Sequence, residues 1–223
     1  MRVAVLATGG KDSTLALHKS LKQGHEVKYL VSMIPLREDS WMFHHPNIRL
    51  VDLFAEAVEI PLVKAETSGV KEEEVKDLQR LIEKLDVEAI VSGATASNYQ
   101  KKRIEKICKQ LRLKCITPLW HKNPPDILKE IVALKFDVII TGVYAYGFNK
   151  EWLGRKIDEA SIKALIELNR QYGVSLVGEG GEYETLVLDA PFFRKRIKIL
   201  EAEKVWKNQS GYYLITKAKL ENK

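Results

Sequence analysis

The order of residue types predicts an α/β chain, a doubly wound parallel sheet followed by a smaller α+β region. Three observations carry that prediction. Short apolar runs alternate with longer amphipathic stretches, a glycine pair separates the first run from the first helix, and the segment from Ile197 to Leu220 alternates like an antiparallel hairpin.

The elements follow in order. Val3 to Ala7 is strand-like, a helix starts at Asp12, Val27 to Ile34 reads as a strand and a helix follows Asn47. Leu62 to Ala65 precedes a helix opened by Lys71-Glu72-Glu73-Glu74, and Ala89-Ile90-Val91 precedes a helix from Ser97. Cys115-Ile116, a helix after Pro125 and Val138-Ile139-Ile140 continue the series, which predicts a parallel, doubly wound sheet. Ile104, Ile107, Cys108 and Leu111 recur at helical spacing, as do Val75, Leu78, Ile82 and Leu85, so each helix offers one core face. The texture changes after Pro118. Asn123-Pro124-Pro125 punctuates the chain, glycines interrupt it from Gly178 to Gly181, and the hairpin is expected to turn at Asn208 to Gly211. Two regions are therefore expected, 1–119 and 120–223.

With 223 residues and 45% hydrophobic content, the chain has enough material for a real core. No apolar run approaches the roughly 20 residues of a bilayer span, and Met1 leads directly into a strand without a signal-peptide start, so a cytoplasmic protein with no membrane partner is expected. Cys108 and Cys115 have neither the spacing of a redox or zinc motif nor that of a disulfide framework, which suits a reducing compartment. The net charge of +6 permits a polyanionic partner, yet the basic residues are interleaved with 30 acidic ones.

The segment Thr8-Gly9-Gly10-Lys11-Asp12-Ser13 joins the first strand to the first helix. Glycines let the backbone approach phosphate oxygens, the first amides of the helix point outward as anion donors, and Lys11, Thr8 and Ser13 add a cation and two hydroxyls. The plain alternative is a turn in which Asp12 or Ser13 caps the helix. A Walker A loop is excluded because Val5 stands where its first glycine belongs and Asp12 follows the lysine; a Gly-x-Gly-x-x-Gly fingerprint is absent too.

A second constellation is Gly178-Glu179-Gly180-Gly181-Glu182-Tyr183-Glu184-Thr185, three carboxylates around a glycine pair. If Glu182 and Glu184 begin a strand, both lie on one face, placed to bind Mg²⁺, bind a cation or accept a proton; the plain alternative is an exposed acidic turn. In the helix after Ser97, Ser97 and Gln100 fit a capping box, while Tyr99, Lys102, Arg103 and Lys106 form a basic, aromatic-edged face open to phosphate, adenine, a protein partner or solvent alone. The segment from Asp39 to Asn47, with Ser40 and His44, follows the second strand, where doubly wound folds carry ligand loops. Adjacent His44 and His45 without supporting ligands fit a nucleotide or substrate loop better than a metal site.

The first loop resembles the Ser-Gly-Gly-x-Asp-Ser loop of the N-type ATP pyrophosphatases, the PP-loop superfamily of HUP-type nucleotide-binding folds, with Thr8 replacing the first serine. Together with Ser40-Trp41-Met42-Phe43-His44, Ser97-x-Tyr99-Gln100-x-x-Arg103-Ile104-Glu105, Pro118-Leu119-Trp120, Trp152-Leu153-Gly154-Arg155 and the acidic glycine segment, it is similar to the diphthine-ammonia ligase family over nearly the whole chain.

The resemblance implies an ATP- and Mg²⁺-dependent, AMP-forming carboxylate-ammonia ligase. It would amidate diphthine on translation elongation factor 2 through an acyl adenylate, with nucleic acid an unlikely partner. It implies that Thr8, Gly9, Gly10, Lys11 and Ser13 hold the departing pyrophosphate. Catalytic roles fall to Lys11, Asp12, Glu182 and Glu184, and Mg²⁺ to Asp12 and Glu182. Substrate contacts fall to Ser40, His44, Tyr99, Gln100, Arg103, Gly180 and Gly181. Two rival readings use the same loop, a tRNA-modifying pyrophosphatase and a nucleotide sensor.

Overall fold

The computed structural model describes residues 1–35, 47–68 and 71–223. The chain divides into two compact units, Met1–Thr8 with Asp12–Trp120, and Gly9–Lys11 with His121–Lys223.

In the first unit the strands are β1 (Arg2–Leu6), β2 (Glu26–Pro35), β3 (Leu62–Thr67), β4 (Ala89–Val91) and β5 (Lys114–Ile116). They form one parallel sheet in the order β3-β2-β1-β4-β5. The helices α1 (Lys11–Lys22), α2 (Val51–Val58), α3 (Lys71–Ile82) and α4 (Asn98–Gln110) make the crossovers. Val3, Ala4 and Val5 are all fully buried, as expected of a central strand covered on both faces. One core layer joins Ala4, Val31 and Met33 to the predicted stripes of α3 and α4, including Leu78, Ile82, Ile104 and Ile107. Ser97 caps α4, its hydroxyl accepting from the Gln100 amide at 3.3 Å.

The second unit contains α5 (Pro124–Ala133), β6 (Asp137–Val143), α6 (Glu159–Tyr172), β7 (Tyr183–Asp189), β8 (Lys195–Lys207) and β9 (Ser210–Asn222). Its sheet is antiparallel, in the order β7-β6-β9-β8. This corrects one expectation. The run Val138-Ile139-Ile140 does not extend the parallel sheet; it is an inner strand of the second one, because a strand flanked on both sides has the same continuous apolar texture in either kind of sheet. The hairpin turns at Asn208 and Gln209, with Lys207 paired to Ser210 and Asn208 at φ 57°. A reciprocal box starts α6: the Asp158 carboxylate accepts from the Ser161 amide at 2.7 Å, and the Asp158 amide donates to the Ser161 hydroxyl at 2.8 Å. Among the described residues no helix is long and apolar enough to cross a membrane.

Candidate functional site

In the parallel sheet the chain passes from β1 to β2 on one side, then returns from β3 to β4 on the other. The carboxyl ends of β1 and β4 therefore flank the topological switch point, where open α/β sheets bind ligands. The Thr8–Ser13 loop follows β1. Helix α1 begins at Lys11, so Asp12 and Ser13 lie within its first turn rather than at its cap, and the Ser13 hydroxyl accepts from the Thr8 amide at 3.4 Å. The negative Asp12 suits the positive end of the helix.

Sequence reasoning missed the segment after β4, Ser92-Gly93-Ala94-Thr95. A Cβ on Gly93 would lie 2.7 Å from the Asp12 carbonyl carbon and 2.8 Å from the Ser13 nitrogen. Position 93 is glycine because the start of α1 occupies the space of a side chain. The legible signal was a glycine directly after the strand beside β1.

Within the second unit, Gly9 and Lys11 are bound to β7. The Val187 amide donates to the Gly9 carbonyl at 2.9 Å and the Lys11 amide to the Thr185 hydroxyl at 3.1 Å. Lys11 is 2% exposed, and its Nζ donates to the Val177 carbonyl at 2.5 Å while standing 5.1 Å from the Tyr183 ring centre. The lysine read from sequence as a phosphate cation is thus seated against the residues that enclose the acidic glycine segment.

That segment does not present Glu182 and Glu184 as a matched pair. Strand β7 begins at Tyr183, so Glu182 precedes it. The Glu182 carboxylate turns back, accepting from the Gly180 amide at 2.8 Å and the Ser175 amide at 3.3 Å, and so clamps its own loop. Gly178 has φ 70°, and a Cβ there would meet the Tyr183 carbonyl oxygen at 2.6 Å. Gly181 donates to the Gly178 carbonyl at 3.0 Å, closing the turn.

Glu184 instead lies opposite Gly142 of β6, which in turn lies opposite Tyr212 of β9. The Tyr144 ring folds back over Gly142, where a Cβ would stand 2.5 Å from its hydroxyl, and that hydroxyl donates to Glu184 Oε2 at 3.4 Å. Desolvation pushes the Glu184 carboxyl up to about 8 against the opposing pull of the Tyr144 bond. Burial and the Glu184 charge push the Tyr144 phenol up as well. A carboxyl poised near neutrality can exchange a proton under working conditions.

On α4 the Arg103 guanidinium stacks on the Tyr99 ring, 3.4 Å from its centre, and donates to the Tyr99 carbonyl at 3.3 Å, while Lys102 and Lys106 are exposed. Gln100 is half-buried at the capped start of the helix. Ser40 and His44 lie outside the described residues. Cys108 and Cys115, seven residues apart, lie in one core layer, where their mutual interaction pushes the Cys108 thiol up and the Cys115 thiol down. Among the described residues no group of three His, Cys, Asp or Glu side chains gathers to hold a metal. The donor set still fits Mg²⁺ bound through one carboxylate plus phosphate oxygens, the usual form of a nucleotide site. Asp12 fits that role better than Glu182, whose oxygens already serve two amides.

Parallel sheet, switch-point loop and non-Walker glycine pair together define a doubly wound α/β protein whose first loop lies where such folds bind ligands. Comparison with known proteins narrows this: residues 1–115 match the family model for the diphthamide synthase N-terminal domain and residues 123–220 that for its C-terminal domain. The chain belongs to the diphthine–ammonia ligase family, ligases of diphthamide biosynthesis that use ATP. It is 36% identical over 228 residues to the diphthine–ammonia ligases of Homo sapiens and Rattus norvegicus, covering 92% of this chain and 85% of each relative. The Schizosaccharomyces pombe enzyme is 36% identical over 245 residues, covering 100% of this chain and 40% of that relative. A solved structure described as a predicted subunit of tRNA methyltransferase from Methanocaldococcus jannaschii aligns with a TM-score of 0.46 and 16% identity, over 86% of this chain and 98% of that one.

Proposed function

We propose that the chain amidates the diphthine carboxylate of translation elongation factor 2, using ATP and ammonia. The carboxylate attacks the α-phosphorus of ATP, forming an acyl adenylate and releasing pyrophosphate. Ammonia then adds to the acyl carbon, AMP leaves, and the nitrogen loses a proton to give the amide. Activation is required because a free carboxylate resists nucleophiles, whereas an acyl phosphate carries a good leaving group. The observation that carries this reading is the Gly9-Gly10 loop at the switch point of the parallel sheet, in a chain matched along both halves by one ligase family.

In this reading the Gly9 and Gly10 backbone and the Thr8 and Ser13 hydroxyls hold the pyrophosphate. Lys11 serves the loop from its buried seat, fixing its course through Thr185 and Val177. Asp12 would hold Mg²⁺ with phosphate oxygens, and the ion would supply charge neutralisation of the triphosphate. Glu184 takes the proton shed by nitrogen, since its carboxyl titrates near neutrality. Glu182 shapes the turn that presents Gly180 and Gly181, and Tyr99, Gln100, Arg103, Ser40 and His44 remain substrate contacts in this reading. The protein works in the cytoplasm, where its proposed substrate is made.

The test is to incubate the protein with ATP, Mg²⁺, ammonium and diphthine-bearing elongation factor 2. A mass loss of about one dalton on the factor is expected, the difference between a hydroxyl and an amino group, with AMP and intact pyrophosphate in equal amounts. ADP and orthophosphate as primary products would overturn the mechanism.

A further inference from the structure

The formal charge of the chain is unevenly placed. Residues 194–223 hold nine basic and three acidic side chains, a net +6, while the 193 residues before them hold 27 of each sign. The whole excess therefore lies on the β8–β9 ribbon and its flanks.

The ribbon has two unlike faces. Ile197 is buried, and Ile199, Ala218 and Leu220 are half-buried on the side that packs. Arg196, Lys198, Leu200, Lys217 and Lys219 are exposed on the other, with Lys198 directly opposite Lys219. Like charges directly opposite destabilise a sheet, so this pairing works against the fold. Two acids offset part of it: Glu221 accepts from Lys198 at 2.8 Å and from Arg196, and Lys217 reaches Glu201 at 3.3 Å. Leu200, 43% exposed, adds an apolar point among the cations.

We infer that this exposed ribbon face docks an acidic protein surface, that of the macromolecule carrying the substrate carboxylate. The inference rests on the reading above that the substrate is a protein. A phosphate backbone is the poorer fit, because Leu200, exposed among the cations, has no partner in a sugar-phosphate chain. An apolar centre with a charged rim is how protein interfaces are built. Rim charges of this kind raise the rate of encounter and make it salt-dependent.

The experiment compares the full chain with Lys198→Glu/Lys219→Glu and with a control reversal of equal charge, Lys22→Glu/Lys84→Glu. At low salt the ribbon variant should raise KM for diphthine-bearing elongation factor 2 about tenfold, an effect that shrinks as added salt screens the charges. KM for ATP and kcat should stay with wild type, the melting temperature should drop only by the loss of the exposed Lys198–Glu221 pair, and the control should not move KM for the factor. Leu200→Ser should raise the same KM without this salt dependence. An unchanged KM in the ribbon variant, or an equal rise in the control, overturns the inference while amidation by wild type keeps the proposed function standing. A difference that vanishes after the factor is treated with ribonuclease overturns it in favour of RNA. Failure of the wild type to amidate the factor overturns the proposed function, and this inference with it.

Discussion

The buried ammonium of Lys11 donates to the carbonyl of Val177 at 2.5 Å, so the lysine of the glycine loop holds a turn 166 residues further along the chain. Lys11→Met keeps most of the stem and removes the donor. It should cost about 1–3 kcal/mol of stability in urea unfolding, because the Val177 carbonyl loses a charge-assisted partner, and pyrophosphate release should fall with it. Lost turnover with unchanged stability would instead make Lys11 a phosphate ligand alone.

Gly93→Ala places a methyl group 2.7 to 2.8 Å from the backbone of Asp12 and Ser13. Backbone cannot swing aside as a flexible side chain can, so the start of α1 must shift. The expected cost is about 1–3 kcal/mol, with ATP binding weakened in calorimetry. Unaltered nucleotide affinity would show that the β4 loop does not shape the site.

Glu184 gives a pH signature whose sign can be worked out. Its folded-state pKa, about 8, lies above the ordinary carboxylate value of 4.5. The neutral form therefore contributes stability that is complete below pH 4.5 and is lost as pH rises through 8. Because the residue keeps partial exposure, the slope stays below the full single-proton value of about 1.4 kcal/mol per pH unit. Glu184→Gln should remove this loss, so the variant melts increasingly above wild type from pH 5 to pH 8 while turnover falls. Parallel melting curves across that range would refute the assignment.

Glu182→Ala removes the carboxylate that accepts from the Gly180 and Ser175 amides. Hydrogen exchange at those two amides should speed up, and global stability should drop by about 1 kcal/mol. Amides that stay equally protected would mean the turn holds its shape without this clamp.

Replacing Cys108 and Cys115 together by serine should leave amidation largely intact. The pair is a structural contact between α4 and β5, and its loss should loosen the core by about 1–3 kcal/mol. Lost turnover in a protein that still melts cooperatively would point to sulfur chemistry.

The parallel sheet, the stripes of α3 and α4, the Ser97 cap and the final hairpin could all be read from sequence. Each depends on contacts of fixed short spacing: a turn, a cap or a 3.6- or 2-residue period. The glycine loop was legible for the same reason, since Gly9, Gly10 and the amides that follow are neighbours in the chain. Partners far apart in sequence were not. Val138 to Ile140 has the same apolar texture in either sheet, and only the pairing of β6 with β7 and β9 placed it in the antiparallel one. Spacing suggested that Glu182 and Glu184 would act as a pair. Tertiary structure turned Glu182 onto its own loop and set Glu184 beneath Tyr144, because hydrogen-bond partners and desolvation come from chain brought close by folding. The same holds for Lys11: its charge was plain in the sequence, and the carbonyl that receives it was decided by the fold.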